Sequence, residues 1–335
     1  MRHMAANMMT VLIVIGVSVV GFVTYAKQQF SEPGPLAEPT LIALPKGANL
    51  GDTSELLATS GAISSEMLFR LGTRYSGQER DIKFGEYRVP AAASMDEILA
   101  LIVSGRTEQY KVTVPEGLTS HEIVALLGTQ DLLTGEIGSV PDEGTLAPDT
   151  HFVSRGQARE DVLKLLLSAQ DKILSTAWDK RQEDLPIASP GEMLVLASIV
   201  QSEAGAGELD KVASVFVNRL RRGQKLEADA TVRYGLTLGK EKLGRGLRQS
   251  ELRKKTPYNT YQIPGLPPTP ISNPGRAAIE AVANPAETDY FFFVADGSGG
   301  HAFARTLAEH RVNVAKWRKI ERARKAQQEN SQPEE

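Results

Sequence analysis

The chain has 335 residues, which is enough for two or three domains and a sizeable hydrophobic core. Its formal net charge of −3 is too small to indicate a nucleic-acid-binding protein or one with a strongly acidic partner. The chain contains no cysteine, so disulfide bonds and thiolate chemistry are both excluded.

The first predicted element is an apolar helix within residues 1–30. Residues 4–26 carry no charged side chain, and their core, residues 8–25, is long enough to cross a bilayer. We favour an uncleaved single span over a cleaved signal peptide, because a signal peptide has a shorter apolar region. Arg2 and the N-terminal amine precede the span and Lys27 follows it, which favours a cytoplasmic N-terminus and puts the rest of the chain outside the cytoplasmic membrane.

A proline-rich linker at residues 31–39 precedes a small α/β region. The pattern predicts, in chain order, a strand at residues 41–44, helices at 53–58 and 64–74, a strand at 85–89 and a helix at 94–104. This strand–helix–helix–strand order resembles a LysM-type glycan-binding module. A small α/β packing domain without a ligand explains the same pattern equally well.

The middle of the chain alternates between short elements and one long loop. The pattern predicts a strand at residues 108–114, a helix at 120–127, a loop at 134–150 and a helix at 158–180. The loop is rich in Gly, Pro, Asp and Thr, which are the residues that favour turns.

The next predicted helix ends in a carboxylate. Ser189 suits the cap, Pro190 suits the first helical position, and Gly205 suits the stop. Residues 193–200 include a single polar residue, so the helix is apolar almost all round and is expected to be buried. Glu203 occupies the last turn.

Glu203 shares the apolar stripe of this helix, because steps of three, four and seven residues back from it reach Val200, Ile199 and Leu196. The negative end of the helix dipole and a poorly solvating wall both disfavour the charged carboxylate and raise its pKa. A glutamic acid that stays protonated near neutral pH is what a general acid requires. A solvated residue at a fraying helix end is the competing interpretation.

A second amphipathic helix is predicted at residues 208–222, and it carries Asn218 as a candidate site residue. Residues 224–275 are predicted to be mostly irregular, and a loop this long in a compact domain is usually functional or disordered. Its polar aromatic and amide side chains are of the types that bind carbohydrate. The alternative is a rigid loop that packs over the domain, with its tyrosines buried for structural reasons. The candidate ligands on this loop are Asp229, Tyr258, Asn259 and Tyr261.

The last third of the chain completes the predicted fold. The pattern predicts a helix at residues 276–283, strands at 290–295 and 301–303, a helix at 307–325 and a disordered tail at 326–335. His301 and His310 have no third ligand at suitable spacing, so we interpret them as structural histidines. No metal site and no cofactor are predicted.

Several runs along the chain together resemble one known family. They are Ala197 to Val200 with Glu203, residues 211–220, Asp229 with Thr231, Val232 and Tyr234, and residues 256–261, 265–271, 273–275, 293–295 and 301–303. In number and order these runs resemble the YceG-like proteins, from about residue 40 to about residue 320. The chain departs from the family at Gln201, where an acid is frequent, and at Ala147, where an aromatic residue is preferred.

The resemblance implies an α+β fold with three parts: a single N-terminal transmembrane helix, a LysM-like α/β subdomain at residues 40–115, and a mixed α+β catalytic domain at 116–325. It implies a lytic transglycosylase, anchored in the bacterial inner membrane with its catalytic domain on the periplasmic side. Such an enzyme cuts within nascent peptidoglycan strands, leaves 1,6-anhydro-N-acetylmuramoyl ends, and works alongside peptidoglycan synthases. The catalytic residue of the family matches Glu203.

A lytic transglycosylase needs only one carboxylic acid, which acts first as acid and then as base while the C6 hydroxyl of the substrate attacks within the same sugar. Asn218, Tyr258, Asn259 and Tyr261 are the candidates for holding the N-acetyl groups and the developing positive charge. Two alternatives stay open at this point. One is a hydrolase that pairs Glu203 with Asp229, and the other is a non-catalytic, membrane-tethered glycan-binding scaffold.

Overall fold

A computed structural model describes residues 2–205 and 207–330 of the chain. It has a mixed α+β fold, which confirms the predicted fold class. The chain divides into two compact units. The first comprises Met1–Tyr110 and Phe152–Gln157, and the second comprises Lys111–His151 and Ala158–Glu335. These units are defined by contacts, so they do not test the predicted domains at residues 40–115 and 116–325. Those domains remain predictions.

The first unit begins with helix α1 (Arg2–Ser31). Within the described residues, the part of this helix from Asn7 to Ser31 is the one segment long and apolar enough to cross a membrane. The C-terminal end of α1 packs on the first unit, where Ala26 and Phe30 lie against its hydrophobic core.

The rest of the first unit is a two-stranded sheet with three helices. Its elements are β1 (Thr40–Leu44), α2 (Leu50–Thr59), α3 (Glu66–Tyr75), β2 (Gly85–Val89) and α4 (Met95–Ser104). The two strands are antiparallel, with Thr40 opposite Val89 and Leu44 opposite Gly85. Ile42, Leu44, Tyr87 and Val89 alternate into a core shared with the helices, as the period of a half-buried strand requires.

The caps explain where these helices begin. Ser65 and Ser94 accept hydrogen bonds from the backbone of Leu68 and Glu97, so α3 and α4 begin where the sequence predicted. The prediction that Thr53 begins α2 is wrong, because Asn49 and Asp52 form a reciprocal capping box one turn earlier.

The second unit is mainly helical. Its elements are α5 (Ser120–Gly128), α6 (Arg159–Asp179), α7 (Pro190–Glu203), α8 (Leu209–Arg221), α9 (Asp229–Thr237), α10 (Gln249–Arg253), α11 (Arg276–Ala283), β5 (Phe292–Ala295), β6 (His301–Ala304) and α12 (Leu307–Asn330). Two strands, β3 (Tyr110–Thr113) and β4 (Thr150–Val153), contain two of the three points where the chain passes between the units. β5 and β6 form the predicted antiparallel hairpin.

Helix α7 is the centre of the second unit. All eight residues from Met193 to Val200 are buried, which confirms the prediction of a helix that is apolar all round. Helices α6, α8, α9 and α11 pack around it. Ser189 caps the helix by accepting from the backbone of Glu192, as predicted. Glu203 therefore lies at the end of the buried central helix of the unit.

Three predictions for this unit need correction. Residues 224–275 are largely irregular, but they contain two helices, α9 and α10, that the pattern did not predict. The predicted loop at 134–150 ends in β4. Helix α12 continues through Asn330, so residues 326–330 are helical rather than disordered, and residues 331–335 lie outside the described residues.

Candidate active site

Glu203 is the last residue of α7 and lies against the hydrophobic core. Leu196, Ile199 and Val200, which precede it on the same face, are all fully buried. The Glu203 side chain is half-buried, so it is neither a core residue nor a freely solvated one. The carboxyl group thus lies at the edge of the hydrophobic core and is partly exposed.

The Glu203 carboxylate meets the first turn of α9. Its Oε1 accepts a hydrogen bond from the backbone N–H of Ala230 at 3.1 Å. The residue before α9, Ala228, has no side chain that caps the helix. Glu203 therefore satisfies one of the N–H groups that the start of a helix leaves unpaired.

Opposing effects act on the pKa of Glu203, and their net result is a raised pKa. Burial is the largest effect and raises the pKa, because the charged form loses solvation. The Ala230 hydrogen bond lowers the pKa, whereas the nearby charge of Asp229 raises it. The positive charges of Arg233 and His301 lower it by smaller amounts. A raised pKa favours the protonated acid, as the sequence predicted.

Two of the predicted site residues join Glu203 at the start of α9. Asp229 is the first residue of that helix, and its Oδ1 accepts a hydrogen bond from the Tyr261 hydroxyl at 2.8 Å. The pKa of Tyr261 is raised by burial and then by the Asp229 carboxylate, so the phenol remains a donor at neutral pH. Glu203, Asp229 and Tyr261 thus form one polar group.

The loop that carries Tyr261 is fixed to α9 by buried hydroxyl groups. The Thr260 Oγ1 accepts from the backbone N–H of Ala228 at 3.0 Å and lies 2.9 Å from the Thr231 Oγ1. Both threonines are fully buried. These contacts hold Tyr261 in place without involving its own side chain.

Tyr258 lines a cleft that Glu203 does not line. Its ring centroid is 5.1 Å from that of Tyr234, and its hydroxyl lies 2.9 Å from Thr269 Oγ1. A side chain at Gly235 would clash with Tyr258, because a Cβ there would be 2.7 Å from the Cβ of Tyr258. The close packing against Gly235 keeps the Tyr258 ring at one wall of the cleft.

The structure does not bring Asn218 or Asn259 to Glu203. The Asn218 amide donates to the carbonyls of Thr288 and Tyr290, at 2.8 and 3.1 Å. Asn259 is fully buried, and its amide donates to the carbonyls of three residues, namely Glu251, Leu252 and Lys254. These amides hold backbone segments, so their effect on a substrate would act through the loops that they fix.

One cleft of the second unit is lined by neighbours of Glu203, and a second, larger cleft shares Tyr234 with it. The nearer has a volume of about 570 Å³ and is lined by Ser202, Ala230 and Arg233, the immediate neighbours of Glu203. The larger, of about 1030 Å³, is lined by Tyr258. The Glu203 side chain itself lines neither cleft. Tyr234 lines both clefts, so its ring forms the wall between them. We assign the chemistry to the nearer cleft because it contains the neighbours of the acid.

Sequence reasoning missed a second half-buried carboxylate, Glu143, which lines the larger cleft with Tyr234. Its Oε1 accepts from the Ser120 N–H at 2.8 Å and from the Asn273 amide at 3.0 Å. The Tyr234 hydroxyl is a further hydrogen-bond partner of Glu143. Burial raises the pKa of Glu143, and the hydrogen bonds from Ser120 and Tyr234 oppose that rise.

The two positions at which the chain departs from the family pattern have structural partners. The Gln201 Oε1 accepts from the backbone N–H of Gly275 at 3.0 Å, so its side chain holds a loop. Ala147 is fully buried, and its N–H donates to the carbonyl of Leu166. An aromatic ring at position 147 would need space that this packing does not offer.

Glu208 and His301 form a pair that the sequence did not predict. Glu208 accepts from the backbone N–H of His301 and lies 2.9 Å from its Nδ1. Within residues 2–205 and 207–330, no group of three or more His, Cys, Asp or Glu side chains is arranged to hold a metal ion.

Comparison with known proteins gives consistent matches over most of the chain. The model of the YceG-like family matches residues 42–316. A Bacillus subtilis protein named endolytic murein transglycosylase is 28% identical over 302 residues, which cover 80% of this chain and 82% of that protein. A Streptococcus pneumoniae protein of the same name is 26% identical over 82% of this chain, which spans 57% of that longer protein.

A solved structure also matches. The crystal structure of a yceG-like protein from Listeria monocytogenes is 27% identical and has a TM-score of 0.49. The match covers 82% of this chain and 99% of that one.

Proposed function

The chain belongs to the YceG-like family, and from that premise we propose that it is an endolytic murein lytic transglycosylase, a lyase that cuts within peptidoglycan glycan strands. The observation that carries the proposal is the position of Glu203. A half-buried carboxyl group with a raised pKa lies next to Ser202, Ala230 and Arg233, which line a cleft, at the residue that the family resemblance implies is the catalytic acid. Relatives that carry this enzyme name match over about four-fifths of the chain.

The hypothetical reaction needs one acid that acts twice. Protonated Glu203 donates to the glycosidic oxygen while the bond from that oxygen to the anomeric carbon of N-acetylmuramic acid breaks. The resulting carboxylate then takes the proton of the C6 hydroxyl of the same sugar, and O6 bonds to the anomeric carbon. Water is not consumed, and the intramolecular attack has a large effective concentration.

The residues around Glu203 are suited to both halves of this cycle. Burial favours the neutral acid before the cut, and the Ala230 N–H stabilises the carboxylate that follows. Tyr261 and Asp229 offer a hydroxyl group and a negative charge beside the reacting sugar. We propose that the strand continues into the larger cleft, where the Tyr258 ring stacks on a sugar face.

The nature of the products tests this reaction. Purified protein is incubated with uncrosslinked glycan strands, and the fragments are weighed by mass spectrometry. We expect anhydro ends from the wild type and none from Glu203→Gln. Glu280→Gln, which changes an exposed carboxylate on α11, serves as the matched control and should cut normally. Undiminished products from a folded Glu203→Gln protein would refute the assignment.

A hydrolase is the second candidate, because Asp229 supplies a carboxylate close enough to Glu203 to influence its pKa. A glycosidase normally uses two such groups, one as acid and one as base or nucleophile. The same spectra decide, since hydrolysis adds the mass of one water to the product and transglycosylation does not.

We also propose that α1 anchors the protein in the bacterial cytoplasmic membrane, with the second unit on the outer, periplasmic side. The support is the apolar length of Asn7–Ser31 and the enzyme name of the relatives, whose substrate is wall material. A single cysteine placed at Glu280 should react with an impermeant maleimide in intact spheroplasts. Reaction only after lysis would contradict this orientation.

We propose a LysM-like glycan-binding role for the first unit, on the basis of its strand–helix–helix–strand order. Its removal by deletion of residues 40–105 should weaken binding to isolated wall material. If that deletion harmed cells while Glu203→Gln did not, a tethered glycan-binding scaffold would replace the enzyme.

The proposed association with peptidoglycan synthases is tested by co-sedimentation of the two purified proteins in vesicles; sedimentation in separate fractions would oppose it.

A further inference from the structure

Helix α3 carries an exposed apolar stripe that no part of the first unit covers within the described residues. Met67, Leu71 and Tyr75 recur at four-residue spacing, so they share one face of the helix. Their exposed fractions are 60%, 45% and 94%. The opposite face is ordinary core, with Leu68 and Phe69 buried. Clustered exposed side chains of this size mark an interaction surface.

The stripe lies beside the end of the apolar helix α1. The ring of Phe30 on α1 stacks on Phe69 of α3, with centroids 6.2 Å apart. A Cβ at Gly72 of α3 would clash with the Phe30 ring, so glycine permits this close approach. Gly72 directly follows Leu71, which places the stripe on the flank of the α1 contact.

The depth of this contact along α1 follows from helix geometry. The apolar stretch ends near Tyr25, and Phe30 is five residues further on, which is about 7 Å along a helix. The headgroup region on each side of a bilayer is roughly 5 to 8 Å thick. A helix that packs on Phe30 is therefore at headgroup depth if the apolar stretch fills the hydrocarbon core.

The charged residues of α3 suit the same location. Arg70 and Arg74 lie on the exposed side, next to the stripe, and each is paired only with an exposed acid, Glu66 or Glu79. Such weak surface pairs exchange readily for contacts with lipid phosphates. Tyrosine and arginine beside leucine and methionine are typical of a helix that lies in the membrane interface.

We propose that α3 lies in the headgroup region of the bilayer crossed by α1, with Met67, Leu71 and Tyr75 inserted towards the acyl chains. The occupant of the stripe is thus lipid, and α3 fixes the first unit against the membrane surface. This inference rests on the proposed membrane span of α1, but not on the proposed catalysis.

The absence of native cysteine allows a direct test in the full chain. Single-cysteine variants Leu71→Cys and Tyr75→Cys carry an environment-sensitive fluorophore and are reconstituted into vesicles of phosphatidylcholine and phosphatidylglycerol. The lipids carry bromine, a quencher, either near the headgroup or deep in the acyl chain. Val14→Cys, within the apolar stretch, reports on the span, and Glu55→Cys, exposed on α2, is the solvent control.

We expect the labels at positions 71 and 75 to lose fluorescence mainly with shallow bromine and the label at 14 mainly with deep bromine. The label at 55 should be unaffected by either lipid. If position 14 is quenched while 71 and 75 match 55, the stripe faces water or a protein and the inference fails, although the span stands. If position 14 is not quenched, the proposed span fails and this inference fails with it. Unchanged thermal unfolding, followed by circular dichroism, confirms that each variant is folded.

Discussion

Two half-buried carboxyl groups of the second unit, Glu203 and Glu143, differ in the hydrogen bonds that they accept. Burial raises the pKa of both. Glu143 accepts hydrogen bonds from a backbone N–H, an amide and a phenol, whereas Glu203 accepts one backbone N–H, from Ala230. A fully bonded carboxylate holds structure together, and a sparsely bonded one is free to exchange a proton.

The largest expected effect separates the two acids by activity. Glu203→Gln should lower the rate of strand cleavage by roughly 10²- to 10⁴-fold, because a general acid contributes about that much. Glu143→Gln keeps an oxygen that accepts from Ser120, and should retain most of the activity. Initial rates of anhydro-end formation measure both. Equal losses of cleavage rate in the two variants would contradict the assignment of a catalytic role to Glu203 and a structural role to Glu143.

The reverse order is expected for stability. Glu143→Ala leaves the Ser120 N–H without its acceptor and removes one of the three acceptors of the Asn273 amide, which costs about 1 to 3 kcal/mol of unfolding free energy. Urea unfolding measures this cost, with Glu136→Ala, at an exposed position, as the control. A loss no greater than that of the control would show that the Glu143 contacts do not hold the loop.

Opposite shifts in the pH profile are expected from the neighbours of Glu203. The reaction requires the protonated acid, so the rate falls as pH rises through the pKa of Glu203. Asp229 raises that pKa and Arg233 lowers it. Asp229→Asn should therefore move the alkaline limb to lower pH, and Arg233→Gln should move it to higher pH. Shifts of the same sign in kcat/KM profiles would contradict the proposed electrostatics.

The smallest expected effect is on pH-dependent stability. Because the folded state raises the pKa of Glu203, it binds the proton more tightly than the unfolded chain, and ionisation of Glu203 destabilises the fold. Glu203→Gln should match the wild type below the unfolded pKa and become more stable than it as pH rises through the folded value. Thermal unfolding across this range tests the sign. A variant that is less stable at neutral pH would mean that the carboxylate form is the favoured one.

The sequence predicted α7 and the unusual setting of Glu203, because Ser189, Pro190 and the apolar period are local signals. It did not predict α9. That helix has no local capping side chain, and one of its first N–H groups is satisfied by Glu203, 27 residues earlier in the chain. A cap supplied by tertiary contact leaves no mark in the segment itself. The start of α9 can therefore be predicted only if the position of Glu203 in the fold is already known.

Tertiary contacts also decide which of the predicted substrate-binding residues lie near Glu203. Asp229 and Tyr261 were predicted from residue type, and the fold brings them to Glu203 through α9. Asn218 and Asn259 are equally polar, yet their amides bind backbone carbonyls. Residue type identifies a side chain that can bind sugar, but only the surrounding backbone determines whether its donors are already used.

The most direct test of the account is a titration of the Glu203 carboxyl carbon by NMR, with Glu203→Gln used to assign the resonance. The account predicts a pKa above the ordinary glutamate value of 4.5, and a return towards that value when the protein is unfolded. A carboxyl group that titrates at or below the ordinary value in the folded protein would contradict the central claim that this acid is held protonated for catalysis.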